Sequence, residues 1–469
     1  MQKKKNDLNN IPAHHKVVVV GGGIAGAGVF RDLSLHNIST LLIDKKDFTS
    51  QTSQSSSKML HGGIRYLENM DFALVWEALH EKNLWLKLTP HLAYPEKFYL
   101  PVFRDSLRPL WMVRIGLFIY DALSSFLNVP HEIANIKKVK DHFPFIKSEG
   151  LRGAGVYSDA VVDDAKLTLE CIYDGLVSPR SFALNHTSLI EAQKTPKGYL
   201  LALEDQISGE RVQLTCEYLV FTTGPFTDKV LQDLNLFPWQ SKLILSRGSH
   251  LWIKNETLKA TSPMVLTPSD GRVIFVIPQN NKTLVGTTEV VGDASFDQMP
   301  SDDEVDYLLK NLSDFFPTAE IDTSCIIEKF AGTRPLVKEN PDENLGMVAR
   351  NHKVYQPQEN AYVLLGGKYT TFRIMAQDVV SPLLHKMNKP YLAELTLQPL
   401  RAASKIEPWK EVKLNREILR DIITKELPRN EEDLIKRRLG INDIDAFPEV
   451  KTFLRDNKDL LPWKAEYQE

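Results

Sequence analysis

One short segment of this chain concentrates residues that could bind an anion and move a proton. Residues 55–68 read SSSKMLHGGIRYLE, and their chemically active side chains are Lys58, His61, Arg65 and Tyr66, which surround the pair Gly62-Gly63. A guanidinium matches the oxygens of a phosphate or carboxylate, and an imidazole, with an ordinary pKa of about 6.5, suits a general base. The segment therefore predicts a site that holds and deprotonates an anionic substrate. Taken singly, such residues more often have structural or solvent-exposed roles.

Two further cations stand in similar local settings. Arg334 precedes a proline in AGTRPL at the end of a predicted strand, and Lys368 follows a glycine pair in GGKYTT. Each alone is typical of a surface loop. Together with Arg65 they would supply three cations to the edge of one domain, which indicates a dianionic substrate, most simply a phosphate ester.

The elements that would position these groups begin with a βαβ unit at residues 16–48. An apolar run at 17–20 predicts a buried strand, and Gly21, Gly23 and Gly26 then form GxGxxG before a predicted helix that ends near His36. The next predicted strand, STLLID, ends on Asp44, where a carboxylate can accept from ribose hydroxyls. This context predicts a dinucleotide site, and the alternative is a glycine-rich turn in an unrelated α/β domain.

Later segments favour FAD over NAD as the dinucleotide. A predicted strand, YLVFTTG, ends on Gly224, and LLGGKYTTF places Gly367 before another predicted helix. Three separated segments would thus converge on one long cofactor, with the last helix directing its positive N-terminal end toward the flavin. The serine-rich stretch 50–57 then reads as a ligand-contacting loop rather than a linker.

Bulk composition limits the classes of function. The 469 residues are consistent with about two or three domains, and a net charge of −3 argues against general nucleic-acid binding. Three dispersed cysteines indicate neither a disulfide framework nor a thiolate metal site, and they fit a reducing, cytoplasmic compartment. MQKKKNDLNN lacks the apolar run of a signal peptide. Residues 70–150 read as mainly helical, and 109–129 as an amphipathic helix rather than a membrane span.

These motifs resemble those of the FAD-dependent glycerol-3-phosphate dehydrogenases and the related α-glycerophosphate oxidases. The match covers about residues 16–380 through SSSKMLHGGIRYLE, RPLWMVRIGLFIYDAL, YSDAVVDDAKL, TTGPF, RGSH, GRVIFVIP, GTTE, GTRPL and GGKYTTFR, in the family's order. The resemblance implies α/β and α+β architecture. The expected parts are a Rossmann-like FAD-binding domain of the glutathione-reductase/amino-acid-oxidase type, an antiparallel-sheet substrate domain and a small C-terminal helical domain. The corresponding ranges are 16–75, 150–225 and 325–384 for FAD, 76–149 and 226–324 for substrate, 385–469 for the helical domain, and 1–15 for a tail.

By resemblance, the reaction oxidises sn-glycerol 3-phosphate to dihydroxyacetone phosphate by hydride transfer to FAD. The expected cofactor-binding residues are Gly21, Gly23, Ile24, Gly26, Asp44, Ser53, Ser57, Lys58, His61, Gly62, Gly224, Gly367 and Thr370. Substrate binding is expected of Arg65, Tyr66, Arg334 and Lys368, and catalysis of His61, Arg65, Arg334 and Lys368, with no metal. His61 falls on the family's candidate base, although it could instead only shape the pocket.

The resemblance leaves the electron acceptor and several partners open. Quinone is expected, with peripheral contact on the cytoplasmic face of the inner membrane, while oxygen would make the protein an oxidase. Alternatives are an amino-acid or amine oxidase-like flavoenzyme and a flavin-binding protein without turnover. Glu289 and Gln279 depart from the family's usual Asp and Trp and could alter the pocket rim. A shortened C-terminal domain leaves membrane docking and a homodimer undecided.

Overall fold

Two β-sheets and the helices around them make up the structure, a computed structural model. It describes residues 11–279, 281–296, 298–338 and 351–400, together with Leu8 and Thr452. The strands are β1 His14–Val20, β2 Thr40–Ile43, β3 Met59–Leu60, β4 Ala93–Phe103, β5 Glu132–Ala134, β6 Leu151–Val162, β7 Ser181–Leu184, β8 Thr187–Thr195, β9 Gly198–Asp205, β10 Arg211–Phe221, β11 Leu243–Lys254, β12 Met264–Leu266, β13 Ile274–Gln279, β14 Lys282–Gly286, β15 Val290–Val291, β16 Ile326–Val337, β17 His352–Gln358 and β18 Ala361–Gly366. The helices are α1 Ile24–Leu35, α2 Phe72–Leu88, α3 Leu110–Leu123, α4 Ile136–His142, α5 Asp164–Gly175, α6 Thr227–Leu234, α7 Asn255–Leu258, α8 Asp302–Phe315 and α9 Phe372–Lys386.

The first sheet has β1 at its centre. Its main order is β17-β18-β10-β1-β2-β7, and β1 runs parallel to both β2 and β10. Val17 to Val19 are fully buried, as expected for a strand covered on both faces, and α1, α5 and α9 contribute to the same apolar core. The parallel strands end at one edge, which is where ligands bind in sheets of this kind.

Strand β10 pairs with two different neighbours, one along each half of its length. Residues 211–216 pair antiparallel with β9, while residues 219–221 continue in the same strand and pair parallel with β18. Residues 211–221 form one uninterrupted strand. Its first half alternates between exposed or half-buried and buried residues, and its last four residues are all buried. Residues 218–221 of the predicted YLVFTTG strand therefore form the end of β10, and the last three residues of the motif follow it.

The second sheet is mostly antiparallel and has the order β15-β11-β14-β13-β12-β4-β6-β3. Its strand β4 lies where the sequence indicated mainly helix, and it pairs with β6 along its whole length. Pro95 and Pro101 read as helix breakers, but they occupy β4 opposite Ala160 and Ala154. The expectation of helix is wrong for residues 93–103, whereas α2, α3 and α4 confirm it for the flanking segments.

Three strands belong to a different sheet from the one that the expected domain ranges would give them. Strands β3, β6 and β16 lie within ranges assigned to FAD binding but hydrogen-bond in the second sheet. Each of these strands leads from one sheet to the other, so chain order alone does not reveal its partners. The expected combination of a Rossmann-like sheet and an antiparallel sheet is confirmed.

The chain ends were assigned to a tail and a helical domain. Strand β1 begins at His14, within the expected tail, and Leu8 is buried against the first sheet. Beyond α9, a short 3₁₀ turn at Ala393–Leu395 and the buried Leu400 belong to the described part. Most of the predicted C-terminal helical domain lies outside the described residues.

Candidate active site

A cavity of about 1810 Å³ is lined by residues from both sheets. It includes most of the predicted site residues, namely Gly21, Gly23, Ile24, Asp44, Ser53, Ser57, His61, Arg65, Tyr66, Gly224, Arg334, Gly367, Lys368 and Thr370. These residues lie up to about 350 positions apart in the sequence, so the fold brings them together. Gly26, Lys58 and Gly62 do not line the cavity.

The turn between β1 and α1 leaves no room for side chains. Gly21 has a φ of 109°, and a Cβ there would lie 2.6 Å from the carbonyl oxygen of Thr222. A Cβ on Gly26 would lie 1.8 Å from the carbonyl oxygen of Gly21, which explains why this third glycine packs inside the turn rather than facing the ligand. The turn thus exposes backbone at the start of α1, as a pyrophosphate site requires.

Side chains fix this turn from two directions. Ile24 N–H at the first position of α1 donates to Ser53 Oγ at 2.8 Å, and Gly22 N–H donates to Asp44 Oδ2 at 2.6 Å. The serine-rich loop therefore contacts the β1–α1 turn through Ser53. A dinucleotide such as FAD fits this cradle because its glycines leave the backbone accessible and Asp44 lines the cavity beside it.

Asp44 is a titrating group within the cradle. Burial raises its pKa to about 6, although the amides of Gly22 and Lys46 donate to the carboxylate and oppose the rise. A ribose hydroxyl would donate to the ionised form, so cofactor binding favours deprotonated Asp44.

The ends of β10 and β18 complete the cofactor side of the cavity. Gly224, Gly366 and Gly367 all have positive φ values, of 54°, 71° and 89°. They turn the chain sharply at the sheet edge, where side-chain-bearing residues would be strained. Thr370 lies just before α9, and its Oγ1 accepts a hydrogen bond from the His61 amide at 3.2 Å. The 3₁₀ turn Tyr369–Thr371, directly before α9, therefore holds the backbone of His61.

Arg334 reaches the cavity from β16 and is braced by the neighbouring loop. Its Nη2 donates to Thr287 Oγ1 at 2.8 Å, and the guanidinium lies over Gly248, where a Cβ would come within 2.4 Å of Nη2. Glycine at position 248 is therefore needed for this guanidinium position. Thr287 and Gly248 were not identified from the sequence, since Gly248 meets Arg334 through the pairing of β11 with β16, and Thr287 follows β14, the other neighbour of β11.

Lys368 and Tyr66 form a second pair in the cavity. The Lys368 Nζ lies 3.8 Å from the centroid of the Tyr66 ring, a cation–π contact. Tyr66 and Arg65 belong to a 3₁₀ turn, Ile64–Leu67, which starts after Gly63 with a φ of 78°. A Cβ on Gly63 would lie 2.3 Å from the Tyr66 ring, so this glycine allows the ring its position.

Lys58, an expected cofactor-binding residue, does not line the cavity, and its amine faces a buried carboxylate. Its Nζ lies 2.6 Å from Asp164 Oδ1, and Ser56 Oγ donates to Asp164 Oδ2 at 2.6 Å. Burial raises the pKa of Asp164 to about 6, and the Lys58 charge opposes that rise. Lys58 therefore neutralises a buried carboxylate and holds the serine-rich loop in place.

The two departures from the family pattern have different positions. Glu289 lines the cavity, whereas Gln279 is not among its lining residues and pairs with Lys282 across β13 and β14.

Asp159 also lines the cavity and was not identified from the sequence. The available signal was a carboxylate inside the buried strand β6. Across the part of the chain that the structure describes, no group of His, Cys, Asp and Glu could hold a metal ion.

We expect FAD affinity to fall as the pH drops through about 6, because protonated Asp44 cannot accept from a ribose hydroxyl in the same way. Below that pH the dissociation constant should rise by up to about tenfold per pH unit. Titration of the apoprotein with FAD between pH 5 and pH 8 measures this change. Asp44→Asn should bind more weakly at pH 8 and lose most of the pH dependence. An unchanged profile in this variant would exclude Asp44 as the titrating group.

Comparison with known proteins agrees with this geometry. The family model for FAD dependent oxidoreductases matches residues 16–376. Glycerol-3-phosphate dehydrogenase of Synechocystis sp. is 32% identical over 409 residues, which cover 83% of this chain and 73% of that protein. Aerobic glycerol-3-phosphate dehydrogenase of Escherichia coli is 33% identical over 374 residues, covering 78% and 73%.

Solved structures of similar fold include FAD complexes. The glycerol-3-phosphate dehydrogenase from Bacillus halodurans complexed with FAD has a TM-score of 0.66 and 24% identity, covering 81% of this chain and 67% of that chain. The L-alpha-glycerophosphate oxidase from Mycoplasma pneumoniae, with FAD bound, has a TM-score of 0.62 and 16% identity, covering 79% and 94%. With the sequence matches, these findings show that the chain belongs to the FAD dependent oxidoreductases and, among them, to the glycerol-3-phosphate dehydrogenase family.

Proposed function

We propose that this protein oxidises sn-glycerol 3-phosphate to dihydroxyacetone phosphate with FAD as its cofactor. The observation that carries this proposal is the single cavity that joins the nucleotide cradle to Arg65, Arg334, Lys368 and His61. A phosphate dianion needs several positive charges once it leaves water, and a secondary alcohol needs a base for its proton. Both requirements are met beside the cofactor position.

The residues divide the chemistry between binding and proton transfer. Arg65, Arg334 and Lys368 bind the phosphate and orient the carbon that reacts. An imidazole nitrogen of His61 takes the proton of the C2 hydroxyl as the C2–H bond breaks. Bound FAD supplies the hydride acceptor, so the alcohol loses two electrons and becomes a ketone. The protein's share is to hold these groups together in one cavity.

Anaerobic reduction tests this function directly. When the FAD-loaded protein is mixed with sn-glycerol 3-phosphate without oxygen, the absorbance of the oxidised flavin should disappear. Dihydroxyacetone phosphate should form at the same time. Glycerol without the phosphate should bleach it far more slowly. Bleaching by an amino acid or amine, and not by sn-glycerol 3-phosphate, would favour the amino-acid oxidase alternative. No bleaching by either would favour a flavin-binding protein without turnover.

Arg334→Ala should raise KM for sn-glycerol 3-phosphate by roughly 100-fold, since a desolvated phosphate would lose a charged hydrogen-bond partner. Steady-state kinetics with a dye acceptor measures the change. Arg152→Ala, which removes an exposed arginine from β6, is the matched control and should behave like the wild type. A wild-type KM in a folded, FAD-loaded Arg334→Ala protein would remove Arg334 from the site.

Helix α3 has an exposed apolar face near the mouth of the cavity. Helix α3 buries Val113, Leu117 and Tyr120, yet its opposite face exposes Trp111, Ile115 and Phe118 by 63%, 53% and 57%. Exposed apolar patches of this kind mark interaction surfaces. Within the described residues, no helix has the length and apolar character to cross a bilayer.

We propose that the exposed face of α3 lies in the surface of a lipid bilayer and that a quinone from the bilayer reoxidises the flavin. Met112 and Ile115 are both exposed on α3 and line the cavity, so the cavity opens at this face. An apolar acceptor could then pass from lipid to the cofactor without crossing water. In a bacterium this surface would be the cytoplasmic face of the inner membrane.

Replacing Trp111 and Phe118 together by Ser should reduce cosedimentation with phosphatidylethanolamine–phosphatidylglycerol vesicles severalfold, because the buried apolar area is lost. Turnover with a vesicle-dissolved quinone should fall in parallel, while anaerobic bleaching stays unchanged. Tyr173→Ser with Val177→Ser, an exposed pair outside α3, is the control. Wild-type vesicle binding would contradict the proposal. A dimer that dissociates on substitution would assign the face to a homodimer instead, and rapid reoxidation by oxygen would favour an oxidase.

A further inference from the structure

A buried chain of polar groups lies directly behind the peptide that follows His61. The Gly62 N–H donates to Tyr120 Oη at 2.9 Å, and the Tyr120 O–H donates to Asp159 Oδ1 at 2.8 Å. Lys82 Nζ lies 3.6 Å from the same Asp159 oxygen. These side chains come from α3, β6 and α2, so three elements meet at one backbone amide.

The charged groups of this network are buried, and removing them from water costs free energy. The Lys82 and Asp159 side chains are each 1% exposed, and Tyr120 is fully buried. Lys82 Nζ also donates to Asn128 Oδ1 at 2.8 Å and to the Ser158 carbonyl at 3.2 Å. A buried ion pair often contributes no more stability than apolar side chains of similar volume, and its clearest role is to fix one arrangement.

The peptide at Gly62 fits against this network without spare volume. A Cβ on Gly62 would lie 2.5 Å from the Leu79 side chain and 2.7 Å from Tyr120 Oη. On the other side, the His61 N–H donates to Thr370 Oγ1 at 3.2 Å. The backbone on either side of the His61 Cα is therefore held by two different elements, the 3₁₀ turn before α9 and the buried face of α3.

We infer that Tyr120, backed by Asp159 and Lys82, is a positioning residue that fixes the His61 imidazole for proton transfer. The inference rests on the proposed function in that it takes His61 as the base for the substrate hydroxyl. The cations Arg334 and Lys368 are held by Thr287 and by the Tyr66 ring, so loss of the Tyr120 hydroxyl should slow the reaction while leaving phosphate binding nearly unchanged. Purely structural damage would weaken binding, cofactor retention and rate together.

Tyr120→Phe removes one hydroxyl and keeps the ring. We expect the limiting rate of anaerobic flavin reduction by sn-glycerol 3-phosphate to fall roughly tenfold to 100-fold, the effect of displacing a reacting group by a fraction of an ångström to an ångström. The substrate dissociation constant and the inhibition constant of inorganic phosphate should change by less than about threefold. Tyr199→Phe is the matched control, since Tyr199 is also buried and its hydroxyl donates to Gln358 Oε1 at 2.9 Å in the first sheet.

Amide hydrogen exchange gives a readout that does not depend on turnover. A peptide covering residues 59–68 should exchange faster in Tyr120→Phe than in wild type, because the Gly62 amide loses Tyr120 Oη at 2.9 Å and keeps only the longer contact to Asp159 Oδ1 at 3.4 Å. Tyr199→Phe should not change this exchange. If Tyr120→Phe retains the wild-type reduction rate, or if its exchange is unchanged, the inference is overturned. If wild type itself is not reduced by sn-glycerol 3-phosphate, the proposed function fails. The exchange experiment still decides whether Tyr120 holds this amide.

A second variant covers the case in which Tyr120→Phe folds poorly. Asp159→Leu with Lys82→Met removes the buried charges together and leaves the Tyr120 hydroxyl without its acceptor. The same selective loss of reduction rate would support the inference, and a wild-type rate in this double variant would overturn it.

Discussion

The close backbone approach at the β1–α1 turn is the constraint on which the site depends. Gly21 and Thr222 come so near that a Cβ at position 21 would lie 2.6 Å from a carbonyl oxygen. This contact requires β1 and β10 to be adjacent and parallel, as they are. The same register aligns the ends of β1, β2 and β10, which carry Gly21, Asp44 and Gly224. A side chain at the turn would therefore disturb cofactor cradle and sheet together.

Cations in this protein serve two physical roles that sequence alone does not separate. Lys58 and Lys82 face the buried carboxylates of Asp164 and Asp159, and each holds elements of the fold together. Arg334 is braced by a threonine hydroxyl and Lys368 by an aromatic ring, and both line the cavity. Lys58 is closer to His61 in the sequence than Arg334 is, yet only Arg334 lines the cavity, and Lys58 pairs with Asp164.

Helix α3 links the surface to the reaction site through its two faces. Its outward side exposes Trp111 and Phe118, while its inward side carries Tyr120 to the Gly62 amide. The apolar pattern of 109–129 predicted an amphipathic helix. The structure places one face of α3 in the core and leaves the other face exposed. Burial on one side thus fixes the hydroxyl that contacts the segment containing His61.

The sequence by itself determined the strand–glycine–helix units, because their turns and glycine spacing are local features of the chain, and it indicated the family through motifs in a fixed order. Gly21, Gly26 and Asp44 were identified in this way. Only the tertiary structure decided that β4 is a strand despite Pro95 and Pro101, that Lys58 pairs with Asp164, and that Tyr120 and Asp159 lie behind His61. Those outcomes depend on which distant strands and helices pack together, and hydrogen bonds between such elements leave no periodic pattern in the chain.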